Sequence, residues 1–109
     1  MNEEAKNLVV QFQAYQQQLQ AVLIQKESLK LQNLEIEKAL EELEKTKEKK
    51  AFKIAGQIMV LKPVEELKNE LKELRENTEL RIKSLEKSEE RISEKLKNLQ
   101  KEIKEKVKA

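Results

Sequence analysis

Apolar residues recur along most of this chain in alternating steps of four and three, and that spacing is interrupted only once. Ala5, Phe12, Leu19, Lys26, Asn33 and Leu40 fall on one position of a seven-residue repeat. Leu8, Tyr15, Val22, Leu29, Ile36 and Leu43 fall on the other. Side chains three and four apart share a helix face, so two interleaved apolar positions predict a coiled-coil seam. Asn2 is placed to cap this helix, and Glu3 and Glu4 complement its positive end. The pattern predicts a helix over 2–50, ending in the basic run Lys45–Lys50 and roughly 70 Å long. A second seam begins at Val64, Leu67, Leu71, Leu74 and Thr78. It continues through Ile82, Leu85, Glu89, Ile92, Leu96, Leu99 and Ile103. Pro63 followed by Glu65 and Glu66 marks its start, so a helix is expected over 63–108. The two consecutive four-residue steps from Leu74 through Thr78 to Ile82 form a stutter, which unwinds a supercoil locally.

The interruption, 51–62, reads AFKIAGQIMVLK and lies almost at the chain's midpoint. Short runs of β-forming residues on either side of the sole glycine predict a hairpin. Gly56 takes the first central position of a type II′ turn, where φ is positive. With Gly56–Gln57 as the loop, Phe52, Ile54, Met59 and Leu61 share one face. Lys53, Ala55, Ile58 and Val60 share the other. A two-stranded hairpin is marginal in water, and two bare edges invite pairing with further strands. Phe52, Ile54, Gly56, Ile58, Met59, Val60 and Leu61 are therefore the candidate assembly residues.

Two helices of nearly equal length joined by a hairpin return antiparallel. Folding about Gly56–Gln57 sets residues whose numbers sum to about 113 opposite each other. Lys26 then meets Glu89, and Asn33 meets Thr78, so the polar positions of one seam face those of the other and fix register. Glu102 and Lys106, four apart, are positioned to pair along the helix surface.

Composition narrows the chemistry. Aromatics are 3% of the residues and charged residues 40%, which leaves too little bulk for a globular core and suits helices meeting along a narrow seam. No His, Asp or Cys is present, which removes the usual general base, nucleophile pairs and most metal-ligand sets; one glycine leaves no phosphate-cradling loop. The reading is of a non-enzyme without cofactor or metal. The net charge of +2, with both signs intermixed, gives no field that calls for nucleic acid. The absence of cysteine and the acidic Asn2-Glu3-Glu4 start agree with a cytoplasmic setting.

The stretch Asn7–Gln25 is anomalous. It runs nineteen residues without a charge and holds seven glutamines, too polar to cross a bilayer. Its polar face also lacks the basic residues of a membrane-surface helix. Val9, Val10, Leu23 and Ile24 exceed what the seam needs: they either widen the stripe into a broader core, with room for a third helix, or offer weakly polar surface to a partner. At the helix ends Leu8, Val9, Val10 and Phe12 lie opposite Lys101–Val107, where Ile103 and Val107 are the only large apolar groups. Incomplete burial there predicts fraying, which leaves these six residues as the apolar surface most readily offered to a partner.

The layout is helix, central hairpin, returning helix, with YQQQLQ at 15–20, AFKIAG at 51–56 and RIKSLEKSEERI at 81–92. It resembles the archaeal-like β-type subunit of the prefoldin family over essentially the whole chain. A single hairpin matches the β type; α-type subunits carry two. The resemblance implies a mainly α fold, a long antiparallel coiled-coil hairpin whose central β-hairpin enters an intersubunit β-barrel. It also implies a hexamer of two α and four β subunits, an ATP-independent holdase whose coiled-coil tips grip unfolded polypeptides and pass them to a group II chaperonin. The alternative is a structural coiled-coil adaptor or tether that oligomerises through its hairpin.

Overall fold

A computed structural model describes residues 2–108 as α1 (Glu3–Lys45), β1 (Lys50–Ala55), β2 (Ile58–Pro63) and α2 (Val64–Lys108). The start of α1 follows from its cap: the Ala5 N–H donates to Asn2 Oδ1 at 2.7 Å, and the Lys6 N–H to the Asn2 carbonyl at 3.0 Å. Its end comes earlier than the charge pattern predicts. The Glu48 N–H donates to Thr46 Oγ1 at 3.2 Å, and residues 46–49 leave the helix. A threonine hydroxyl offers the backbone an alternative to the next helical bond, so the lysine-rich run becomes a connector rather than a last turn. On the return side Pro63 is the last strand residue rather than the first helical one. The Val64 N–H closes on the Lys49 carbonyl at 2.8 Å, which ties the two stems of the hairpin together.

The hairpin has the expected register: Phe52 opposes Leu61, Lys53 Val60, Ile54 Met59 and Ala55 Ile58. Pairing extends further, through Ala51–Lys62 to Lys50–Pro63. Gly56 has φ of 63°, and no other described residue has positive φ. Gln57 therefore stays in the ordinary region, which is the signature of the II′ turn rather than I′.

The chain divides into two units, one drawn from Met1–Ser28 and Ile82–Ala109, the other Leu29–Arg81. In the first, α1 and α2 run antiparallel, since Glu4 pairs with Lys106 at 2.8 Å and Lys26 with Glu89 at 2.6 Å. Ala5 and Leu99 are buried in this seam, and Leu8, Phe12, Leu19, Val22, Ile92, Leu96 and Ile103 are half-buried. Lys95 Nζ stands 5.3 Å from the centre of the Tyr15 ring, a cation held over an aromatic face. Lys106 spends its charge on Glu4 across the seam rather than on Glu102 one turn away.

Lys26 is the polar seam position that works as register logic predicts. Its ammonium is raised above the ordinary lysine range, first by the hydrogen bond it donates to Glu89. A raised folded-state value means that this contribution is present at neutral pH and is lost only as alkali passes that range. Lys26→Glu is expected to lower the thermal midpoint by a few degrees, about what an ion pair of this kind supplies. Adding Glu89→Lys should recover part of the loss in a double-mutant melt. A double variant no better than the summed singles would remove the pair from the account of register.

In the second unit Leu29, Ile36, Leu40, Val64 and Leu67 are buried, and Lys68 reaches Glu44 at 3.5 Å. The stutter redistributes the seam here. Thr78 is 3% exposed, whereas Leu74, one turn before, is turned well out to solvent. Two successive four-residue steps rotate the apolar stripe about the helix, so Leu74 falls at its margin. Asn33 and Thr78 are not hydrogen-bonded to each other. The Thr78 hydroxyl donates to its own helix, to the Leu74 carbonyl at 2.8 Å, and Asn33 Oδ1 is buried without a partner. A stranded buried acceptor costs about 1–3 kcal/mol. Asn33→Leu is therefore expected to raise the thermal midpoint by several degrees. A midpoint that falls would show the amide to be holding the seam rather than straining it.

Candidate functional site: the hairpin and the helix ends

The hairpin leaves its apolar side chains in solvent. Ile54 is 73% exposed, Phe52 and Met59 64% each, and Leu61 51%, all on one face. Ile58 and Val60 on the other face are also exposed. Alternation along a strand explains the grouping, since residues two apart share a face. Neither β1 nor β2 pairs with a third strand, so each presents an unpaired edge.

The lysine face is anchored by one carboxylate. Glu70 of α2 accepts from Lys62 Nζ at 2.7 Å through Oε1 and from Lys53 Nζ at 2.9 Å through Oε2. Lys53 lies on β1 and Lys62 on β2, so a single side chain ties both strands to α2. Sequence reasoning missed this clamp, because nothing in local spacing links position 53 to position 70. The Glu70 carboxyl is held below the ordinary carboxylate range, first by the bond from Lys62 and next by that from Lys53. A depressed folded-state value means that the clamp stabilises at neutral pH and is lost as acid falls through that value. Protection of the β1 and β2 amides against hydrogen exchange should accordingly drop on acidification below about pH 4, by up to about fivefold. In Glu70→Gln that acid step should vanish, and a variant that keeps it would locate the effect elsewhere.

Beside the clamp lies a cleft of about 610 Å³, lined by Leu43 of α1, Ala51 and Phe52 of β1, and Leu67, Leu71 and Leu74 of α2. It continues the apolar surface from the hairpin down onto the helices.

The residues named for the helix ends divide. Val10 and Val107 are exposed, at 64% and 61%. Leu8, Val9, Phe12 and Ile103 are half-buried, and α2 stays helical through Lys108. Among the described residues no helix is long and apolar enough to cross a membrane.

A family model described as prefoldin subunit matches residues 6–109. The chain belongs to the prefoldin family. Its relatives among prefoldins include the prefoldin subunit beta of Archaeoglobus fulgidus, 39% identical over 92% of this chain and 87% of that protein. The prefoldin subunit beta of Thermococcus onnurineus is likewise 39% identical, over 92% and 87%. The crystal structure of the prefoldin beta subunit from Thermococcus strain KS-1 superposes with a TM-score of 0.88, covering 99% of this chain and 96% of that one at 33% identity. Prefoldins are chaperones, and the two long helices with a central antiparallel hairpin are the architecture of a prefoldin β chain.

Proposed function

We propose that this prefoldin chain is the β subunit of a cytoplasmic, ATP-independent holdase. The hairpin joins it to α-type subunits and to further copies of itself, in a hexamer of two α and four β chains whose strands close a β-barrel. Coiled-coil tips carrying Leu8, Val9, Val10, Phe12, Ile103 and Val107 hold unfolded polypeptides and hand them to a group II chaperonin. No catalysis, cofactor or nucleic acid enters this reading. The observation that carries it is the hairpin: two bare edges and a face of Phe52, Ile54, Met59 and Leu61 left in solvent. An apolar surface of that kind, on a strand pair too small to be stable alone, supports completion by other chains.

The decisive experiment dilutes a guanidine-denatured enzyme into buffer with the chain and a candidate α-type subunit, without nucleotide, and follows light scattering. A holdase suppresses the rise; a tether leaves it unchanged. Native mass, measured on the chain alone and then on the mixture, reports whether the α partner is taken up.

A further inference from the structure

In the first unit α1 carries a second row at heptad spacing on the side away from α2, uncharged and in part apolar. Asn7, Val10, Ala14, Gln17, Ala21 and Ile24 follow one another in steps of three and four, and every one is exposed. Val10 and Ile24 are the large members, at 64% and 63% exposure. The half-buried residues Leu8, Phe12, Tyr15, Leu19 and Val22 define the seam toward α2, so this row lies on the far side. Ala21 stands at its margin, where it also borders a cleft shared with Ser88, Arg91 and Lys95 of α2. Flanking positions hold glutamines, among them Gln13, Gln16 and Gln20, rather than the Glu and Lys that normally border a coiled-coil seam. The corresponding outer row of α2 is built the other way, with Lys87, Arg91, Glu94 and Lys101 in solvent.

We propose that this outer face of α1 is a docking seam for amphipathic, charge-poor helical segments of non-native polypeptides. The inference rests on the holdase reading and adds to it the surface used and the kind of segment taken. Four observations select this occupant. The three-four spacing matches a helix, whose own apolar stripe repeats every 3.5 residues, rather than an extended strand, which repeats every two. Ala14 and Ala21 let a second backbone approach, and Val10 and Ile24 bracket them as larger anchors. The absence of charge over Asn7–Gln25 means that a partner is chosen by apolarity and not by sign, whereas the charged outer row of α2 makes the same partner shed hydration from ions. Finally, two large side chains and two alanines fall well short of the roughly 800 Å² per partner of a stable protein interface. The face therefore suits weak, reversible holding and not a permanent second copy of the chain.

The test uses the full chain in its assembled state and the variant Gln17→Glu with Ile24→Glu, which puts two charges on this face and leaves the seam and both helix ends intact. The probe is a fluorescent, uncharged peptide of leucine, alanine and glutamine with apolar residues at 3.5-residue spacing, long enough to match Asn7–Ile24. A version broken by proline serves as its non-helical control. We expect the variant to keep its native mass and helical content, to bind the peptide at least tenfold more weakly, and to lose most of its protection of a denatured enzyme. Ser84→Glu with Asn98→Glu, two charges on the outer face of α2, should change neither readout. Full protection by the α1 variant overturns the inference and leaves the holdase reading standing. Equal affinity for the proline-broken peptide overturns the helical occupant. A change in native mass would make the face a subunit interface, which also overturns it. If the unmodified assembly fails to protect clients at all, the holdase reading falls first and this one with it.

Discussion

Ile54→Lys is expected to release the chain from its assembly as a lower-mass species that keeps its helical signal. Ile54 is the most exposed large apolar residue of the hairpin and faces Met59 across the strand pair, with Phe52 and Leu61 on the same side. Covering side chains of this size is worth roughly 1.5–3 kcal/mol each, so four of them supply a large part of what association requires. A lysine set among them must either stay wet, which holds the partner away, or be buried without a counter-charge. Within the isolated chain the same substitution costs little, because the side chain already faces solvent and the seams that hold α1 and α2 are untouched. Light scattering should therefore show a several-fold fall in native mass while circular dichroism is almost unchanged. Val60→Lys, on the opposite face, should act in the same direction. A variant that retains its full mass would remove the hairpin from assembly.

Trimming the first ten and last eight residues is expected to abolish protection of unfolded clients while leaving the oligomer intact. The removed segments contain Val10 and Val107, which stand in solvent, and Leu8, Val9 and Ile103, which the seam covers only in part. They also contain the Glu4–Lys106 pair, whose Glu4 carboxyl is held below its ordinary range by Lys106. Nothing in the hairpin or its Glu70 clamp is touched, so native mass should fall only by the residues removed. On the holdase reading proposed above, each contact to a client is weak, and holding arises when several chains of one assembly engage the same polypeptide at high effective concentration. Loss of the contacts on every chain at once is therefore close to all-or-none in an aggregation assay. A trimmed assembly that protects as well as the full chain would show the end residues to be dispensable and leave holding to what remains of α1, its outer row over 14–24 included.

Particular residues show what could be read from the chain and what could not. One glycine between two β-forming runs determines both turn and register, since only Gly56 adopts positive φ here without penalty, and every cross-strand pair follows from it. The Lys26–Glu89 contact follows by counting outward from that turn. The same count sets Asn33 opposite Thr78, yet the two form no hydrogen bond with each other. A threonine hydroxyl has an acceptor one turn back in its own helix, and sequence spacing carries no information on which acceptor wins. The end of α1 was hidden for a related reason: Lys, Glu and Thr in 45–50 are compatible with helix, and a side-chain hydrogen bond at Thr46 decides against it. For the helix ends, periodicity marks which positions are apolar but not how much of each the opposing helix covers. Half-buried Leu8 and exposed Val10 look alike on paper.

The two stems of the hairpin are unequal. Between α1 and β1 stand four residues outside regular structure, 46–49, whereas β2 passes into α2 at Pro63–Val64 with no spacer at all. The Glu70 clamp adds a second attachment on that same side. The hairpin is thus geared to α2 and only leashed to α1. An extra residue within 46–48 is expected to be taken up as slack, upstream of the Lys49 carbonyl that Val64 holds. One inserted between Pro63 and Val64 turns everything that follows by about 100° against the strands, a single step of helical phase. Aim of the strands is set through α2, and the connector on the α1 side is where length variation is harmless.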